Sequence, residues 1–109
     1  MAYDETLAER VREIMLAEPG LGERKMFGGL TFILDGHMCC GIVANELMLR
    51  LGADGAENAL EHAHVRPMDF TGKPMTGMIY VAPEGLGGDA LNRWLHQEAA
   101  FVRTLPPKR

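Results

Sequence analysis

A chain of 109 residues has the length of a single domain, and it can bury roughly 65% of its unfolded surface, enough for a core without a disulfide or structural metal. Its 47% hydrophobic and 24% charged residues are ordinary globular values and exclude disorder for the body of the chain. A formal net charge of −4 speaks against binding driven by nucleic-acid phosphates, which needs a basic surface.

The chain begins MAYDETLAERVREIM, too charged for the apolar core of a secretory signal, and no apolar run approaches the ~20 residues of a membrane span. A cytoplasmic protein with no membrane contact is expected. Leu7, Val11, Ile14 and Met15 recur at helical spacing opposite Glu9, Arg10, Arg12 and Glu13, which predicts a helix over 5–17. Asp4 or Thr6 can cap it, and Pro19-Gly20 ends it. From Glu23 to Gly52, short apolar runs are parted by Gly28-Gly29, Asp35-Gly36 and Asn45-Glu46. They read as an antiparallel meander over 24–27, 29–34, 38–44 and 47–51. Asp35-Gly36 is the strongest turn, because a type I′ turn needs positive φ at both central residues. A shorter helix over 53–63 follows, carried by Ala56, Ala59, Leu60 and Ala63. Pro67 and Pro74 confine 66–75 to a loop or a sheet edge, so that Gly77–Val81 is the next strand. Leu91, Trp94, Leu95, Phe101, Val102 and Leu105 then build an amphipathic third helix, capped by Asp89 and stopped by Pro106-Pro107. The order α-β-β-β-β-α-β-α predicts one α+β domain over 1–109, a two-layer sandwich in which helices cover one face of an antiparallel sheet of about five strands.

His37, Cys39 and Cys40 are the first candidates for chemistry. Adjacent cysteines rarely close a disulfide, so reduced thiols are expected. Strand alternation puts His37 and Cys39 on one face and Cys40 on the other. A metal site could be completed by His62 or His64, but no C-x₂₋₄-C or H-x₃₋₅-H spacing is present, and the spacing favours cysteines packed as small hydrophobes. A mid-strand thiol among Met38, Ile42 and Val43 also lacks the electropositive setting of a nucleophile. The carboxylates Asp35, Glu46, Asp69 and Glu84 stand in turns, where turn chemistry accounts for them. Neither Gly28-Gly29 nor Gly85–Gly88 matches a phosphate-cradling motif. No catalytic residue and no cofactor is expected. Of the eight methionines, Met26, Met38, Met48, Met68, Met75 and Met78 lie in or near the sheet; core packing is their first reading and a soft partner surface the second.

Met26-Phe27-Gly28-Gly29, Asp35-Gly36, Arg66-Pro67-Met68-Asp69-Phe70 and Tyr80-Val81, in this order, resemble the N-terminal domain of the TfoX/Sxy family of competence regulators. The resemblance implies a curved antiparallel sheet with helices on one face. It also implies a non-enzymatic role in transcription regulation through protein–protein interaction, exerted on a DNA-bound activator of the cyclic-AMP-receptor type. It supplies no catalytic residues; its MFGG and RPMDF segments are structural. Ending at Arg109, the chain is expected to be a stand-alone N-terminal domain, without the helical C-terminal domain of the competence regulators. A protein partner is therefore expected, with homodimerisation through the sheet as a variant and direct nucleic-acid binding through Arg24, Lys25, Arg103, Lys108 and Arg109 disfavoured. The alternative is a small-molecule- or metal-binding domain using His37, Cys39, Cys40, His62 and His64.

Overall fold

A computed structural model of the chain describes residues 3–16, 18, 20–26, 29–70 and 73–105, the side chains of 26, 68–70 and 73–76 excepted. Helix α1 spans Glu5–Met15. The Asp4 carboxylate accepts hydrogen bonds from the backbone N–H groups of Thr6 and Leu7 at 3.0 and 3.1 Å, so the expected cap is present. Four strands follow, β1 (Leu21–Met26), β2 (Gly29–Leu34), β3 (His37–Val43) and β4 (Glu46–Arg50), then α2 (Gly52–Ala59), β5 (Val65–Phe70), β6 (Lys73–Val81) and α3 (Ala90–Val102). Asp35 and Gly36 both have positive φ, 51° and 85°, as the β2–β3 turn requires.

The strands form one antiparallel sheet in the order β1-β2-β3-β4-β6-β5. It has six strands where about five were expected. The added strand is β5, and β6 begins at Lys73 rather than at Gly77. Pro67 is tolerated because β5 is an edge strand, bonded only to β6, and its register shifts between Pro67 and Asp69. Helix α2 is shorter than expected, ending at Ala59, and Asp89 precedes α3 without a side-chain capping hydrogen bond.

All three helices pack on one face of the sheet. Leu7, Val11 and Met15 of α1, Ala56 and Ala59 of α2, and Leu91, Leu95 and Val102 of α3 close over Leu30, Phe32, Leu34, Ile42, Leu47, Leu49, Ile79 and Val81. Alternation sends the intervening residues to the other face, where Met48, Met78 and Tyr80 form a second small cluster with Met38 and Val43 against it. One row crosses the sheet there: Thr31, Gly41, Met48, Tyr80 and Arg66 pair in succession. A Cβ on Gly41 would lie 2.9 Å from the Met48 methyl and 2.7 Å from the Leu30 carbonyl oxygen, so Met48 fills space that only a glycine leaves. Met48 is fully buried and Met78 nearly so, which bears out packing for these two. The side chains of Met26, Met68 and Met75 lie outside the described residues.

Candidate functional site

The chemistry-bearing residues converge at an irregularity in β3. Phe32 pairs with Cys40 and Ile33 with Met38, so Cys39 is the extra residue of a β-bulge. A bulge breaks the period of two. Cys39 and Cys40 therefore do not point to opposite faces, as alternation alone predicts; both enter the helix-side core, and neither has any exposed surface. Their sulfurs are 4.0 Å apart, the Cys39 S–H donates to the Phe32 carbonyl oxygen at 3.3 Å, and both are free thiols.

Helix α3 brings a third group to them. Leu91, Leu95, Glu98 and Val102 recur at helical spacing and are all buried, with Glu98 in the middle of the apolar stripe at no exposure. One ligand atom from each of Cys39, Cys40 and Glu98 lies within 4.8 Å of the other two. Both Glu98 carboxylate oxygens lack a hydrogen-bond partner among the described residues. The signal that could have found Glu98 was in the sequence: an acidic residue three positions after Leu95 and four before Val102 falls on the buried side of a helix.

The surroundings set the protonation of all three groups. Burial, reinforced by the neighbouring Cys39 sulfur, pushes the Glu98 carboxyl up to about 9, so the buried side chain is a neutral acid at physiological pH. The hydrogen bond with Cys39, followed by complete burial, pushes the Cys40 thiol well above the usual thiol range. Cys39 is the lower of the pair because the Cys40 thiol can donate to it.

The histidines weighed with these cysteines do not join them. His37 pairs with Leu34 at the start of β3 and is nearly buried, yet the ligand cluster does not include it. His62 and His64 are exposed in the turn after α2. There His62 meets Trp94 edge-on, with ring centroids 5.4 Å apart, at the side of an open cleft of about 380 Å³ that Ala63, Arg93 and Gln97 also line. His64 has a φ of 69° and accepts a hydrogen bond from the Ala82 N–H through its carbonyl oxygen, so its role in the described structure is to shape the turn.

Where they are described, the signature segments make contacts within the sheet. A Cβ on Gly29 would stand 2.0 Å from the Ile42 carbonyl oxygen, so β2 can lie against β3 there only through a glycine. Arg66 holds the Glu46 carboxylate, with its Nε 3.2 Å from one oxygen, and lies over the Tyr80 ring with its guanidinium carbon 4.4 Å from the centroid. Pro67 sits on the edge strand. Phe27 and Gly28 lie outside the described residues, as do the side chains of Met26, Met68, Asp69 and Phe70.

Of the cations proposed for nucleic-acid contact, Arg103 is tied to carboxylates, and Arg12 and Arg10 elsewhere on the chain are engaged as well. Arg103 bridges Glu18 and Asp35 at 2.8 and 2.9 Å, Arg12 bridges Glu9 and Glu23, and Arg10 donates to the Leu86 carbonyl oxygen. Arg24 and Lys25 are exposed on the edge strand β1 beside Glu23; Lys108 and Arg109 lie outside the described residues. No described helix is long and apolar enough to cross a membrane.

Among known proteins, the family model of the TfoX N-terminal domain matches residues 15–100. No curated protein and no solved structure matches the chain.

Proposed function

This chain belongs to the TfoX N-terminal domain family, and from that premise we propose that it is a non-enzymatic regulatory module that acts by binding another protein, a DNA-bound transcription activator. The observation that carries this reading is the sealing of the Cys39, Cys40 and Glu98 cluster. A catalytic group must reach its substrate, and these three side chains have no exposed surface. The TfoX/Sxy resemblance adds no catalytic residue and points to a partner that itself holds the DNA. The charge pattern supports the same division of labour: the arginines Arg12, Arg66 and Arg103 are tied to carboxylates on a chain of net charge −4. Self-association through the sheet is a variant of the same reading, and light scattering over a concentration series tests it.

Trp94, the single tryptophan, is half-buried beside the open cleft and makes a built-in reporter. The test titrates the purified domain with a purified activator of the cyclic-AMP-receptor type on its DNA, reading Trp94 emission and sedimentation. A saturable ternary complex supports the proposal. Absence of a complex, with the domain instead retarding bare DNA at low salt, would refute it.

A further inference from the structure

Glu98 is an anomaly in a domain whose family supplies no catalytic residue. A carboxyl in an apolar core whose oxygens find no hydrogen-bond partner of good geometry among the described residues carries a desolvation penalty that native structures normally avoid, and it lies against two thiols. A packing role explains neither feature, since leucine or methionine would fill the same stripe of α3 without the penalty.

We infer that Cys39, Cys40 and Glu98 form a binding site for a thiophilic d10 cation, zinc(II) in the first instance, clamped between the β3 bulge and helix α3. The donor set is the first argument. Two sulfurs select against magnesium and calcium, which take all-oxygen shells, whereas two thiolates with one carboxylate suit zinc. Spacing is the second. With Zn–S bonds of about 2.3 Å, two sulfurs on a tetrahedral ion stand about 3.8 Å apart, against about 4.6 Å for a linear arrangement at the same bond length. The observed 4.0 Å lies close to the tetrahedral value and needs only a small rotation of either thiol. The bulge is the third argument, because an unbroken strand would send the two sulfurs to opposite faces and no single ion could reach both.

A divalent cation that displaces the two thiol protons and the carboxyl proton takes the neutral, protonated cluster to one net negative charge. Binding therefore releases up to three protons and weakens as pH falls. Three protein ligands leave one position on a tetrahedral ion for a water or an added thiol. Because the ligands are fully buried, the ion is taken up as the chain folds or as α3 lifts from β3.

The experiment uses the full chain, unfolded, reduced and stripped with chelator, then refolded with cobalt(II), zinc(II) or magnesium(II) alone. One equivalent of cobalt should develop thiolate-to-metal charge-transfer absorption with tetrahedral d–d bands. Zinc should displace it and raise the melting temperature, and magnesium should do neither. Glu98→Gln should weaken cobalt binding by at least the 10–100-fold that loss of an outer-shell partner costs, while the charge-transfer bands persist at saturation. Cys40→Ala should abolish those bands; Cys39→Ala gives the same reading if Cys40→Ala does not fold. His62→Ala with His64→Ala should change nothing. Wild-type protein refolded in saturating cobalt with no thiolate band overturns the inference, as does equal cobalt affinity in wild type and Glu98→Gln.

Discussion

Replacing Glu98 by glutamine should change the pH dependence of stability more than stability itself. The Glu98 carboxyl is raised from an ordinary 4.5 to about 9 in the fold, chiefly by burial. Cys39 and Cys40 on β3, and Glu18 between α1 and β1, are the titratable groups that act on it. A carboxyl raised in this way keeps a proton in the native state that the unfolded chain has already lost. Its contribution is therefore whole below the unfolded pKa and declines as pH rises, levelling off above the folded one. The slope is about 1.4 kcal/mol per pH unit inside that window, so metal-free wild type should lose about 4 kcal/mol between pH 5 and 8 through Glu98 alone. That is a large part of the 5–15 kcal/mol that holds a domain of this size. Glutamine keeps the shape and removes the titration, at a pH-independent cost of about 1–3 kcal/mol for its buried amide. Urea unfolding of both proteins in chelator, at half-unit steps from pH 5 to 8.5, reads the difference directly. The variant should be the weaker at pH 5 and should gain on wild type steadily, overtaking it near neutrality. Two curves running parallel across this range would show that Glu98 is ionised and solvated, and the buried-acid reading would fail.

Three further outcomes are expected. Gly29→Ala places a methyl 2.0 Å from the Ile42 carbonyl oxygen and should cost about 2 kcal/mol or more by urea unfolding; a loss within experimental error would contradict the close approach of β2 and β3. Arg103→Ala frees the partly exposed Glu18 and Asp35 carboxylates and should cost no more than about 1 kcal/mol, less in high salt, so a larger and salt-insensitive loss would mean the bridge is buried. Cys39 and Cys40 should be inert to Ellman's reagent in the native chelated protein and both react in denaturant; rapid labelling of the folded protein would show a reactive rather than a packed thiol.

Most of the fold was legible from short-range pattern. The apolar spacing of Leu7, Val11 and Met15 marked α1, Asp4 its cap, and Asp35-Gly36 the hairpin turn, because each depends on residues within one turn of helix or one strand reversal. The ordered motifs from Met26 to Val81 carried the family, and the match over residues 15–100 agrees. For β5 the sequence admits both a loop and a sheet edge. Pro67 forbids a central strand, and whether a segment is central or an edge depends on which strands lie beside it.

The candidate site belongs to that second kind of information. Alternation along β3 separates Cys39 from Cys40, and only the register against β2, with its bulge at Phe32 and Ile33, turns both thiols the same way. Glu98 is one acidic residue among many on the linear chain. It became a buried acid because α3 packs that face onto β3 and leaves its carboxylate no hydrogen-bond partner among the described residues. Helical and strand periods are written in neighbouring residues, so composition and spacing reveal them. Burial, register and the meeting of β3 with α3 are sums over contacts between distant parts of the chain, and those exist only once it has folded.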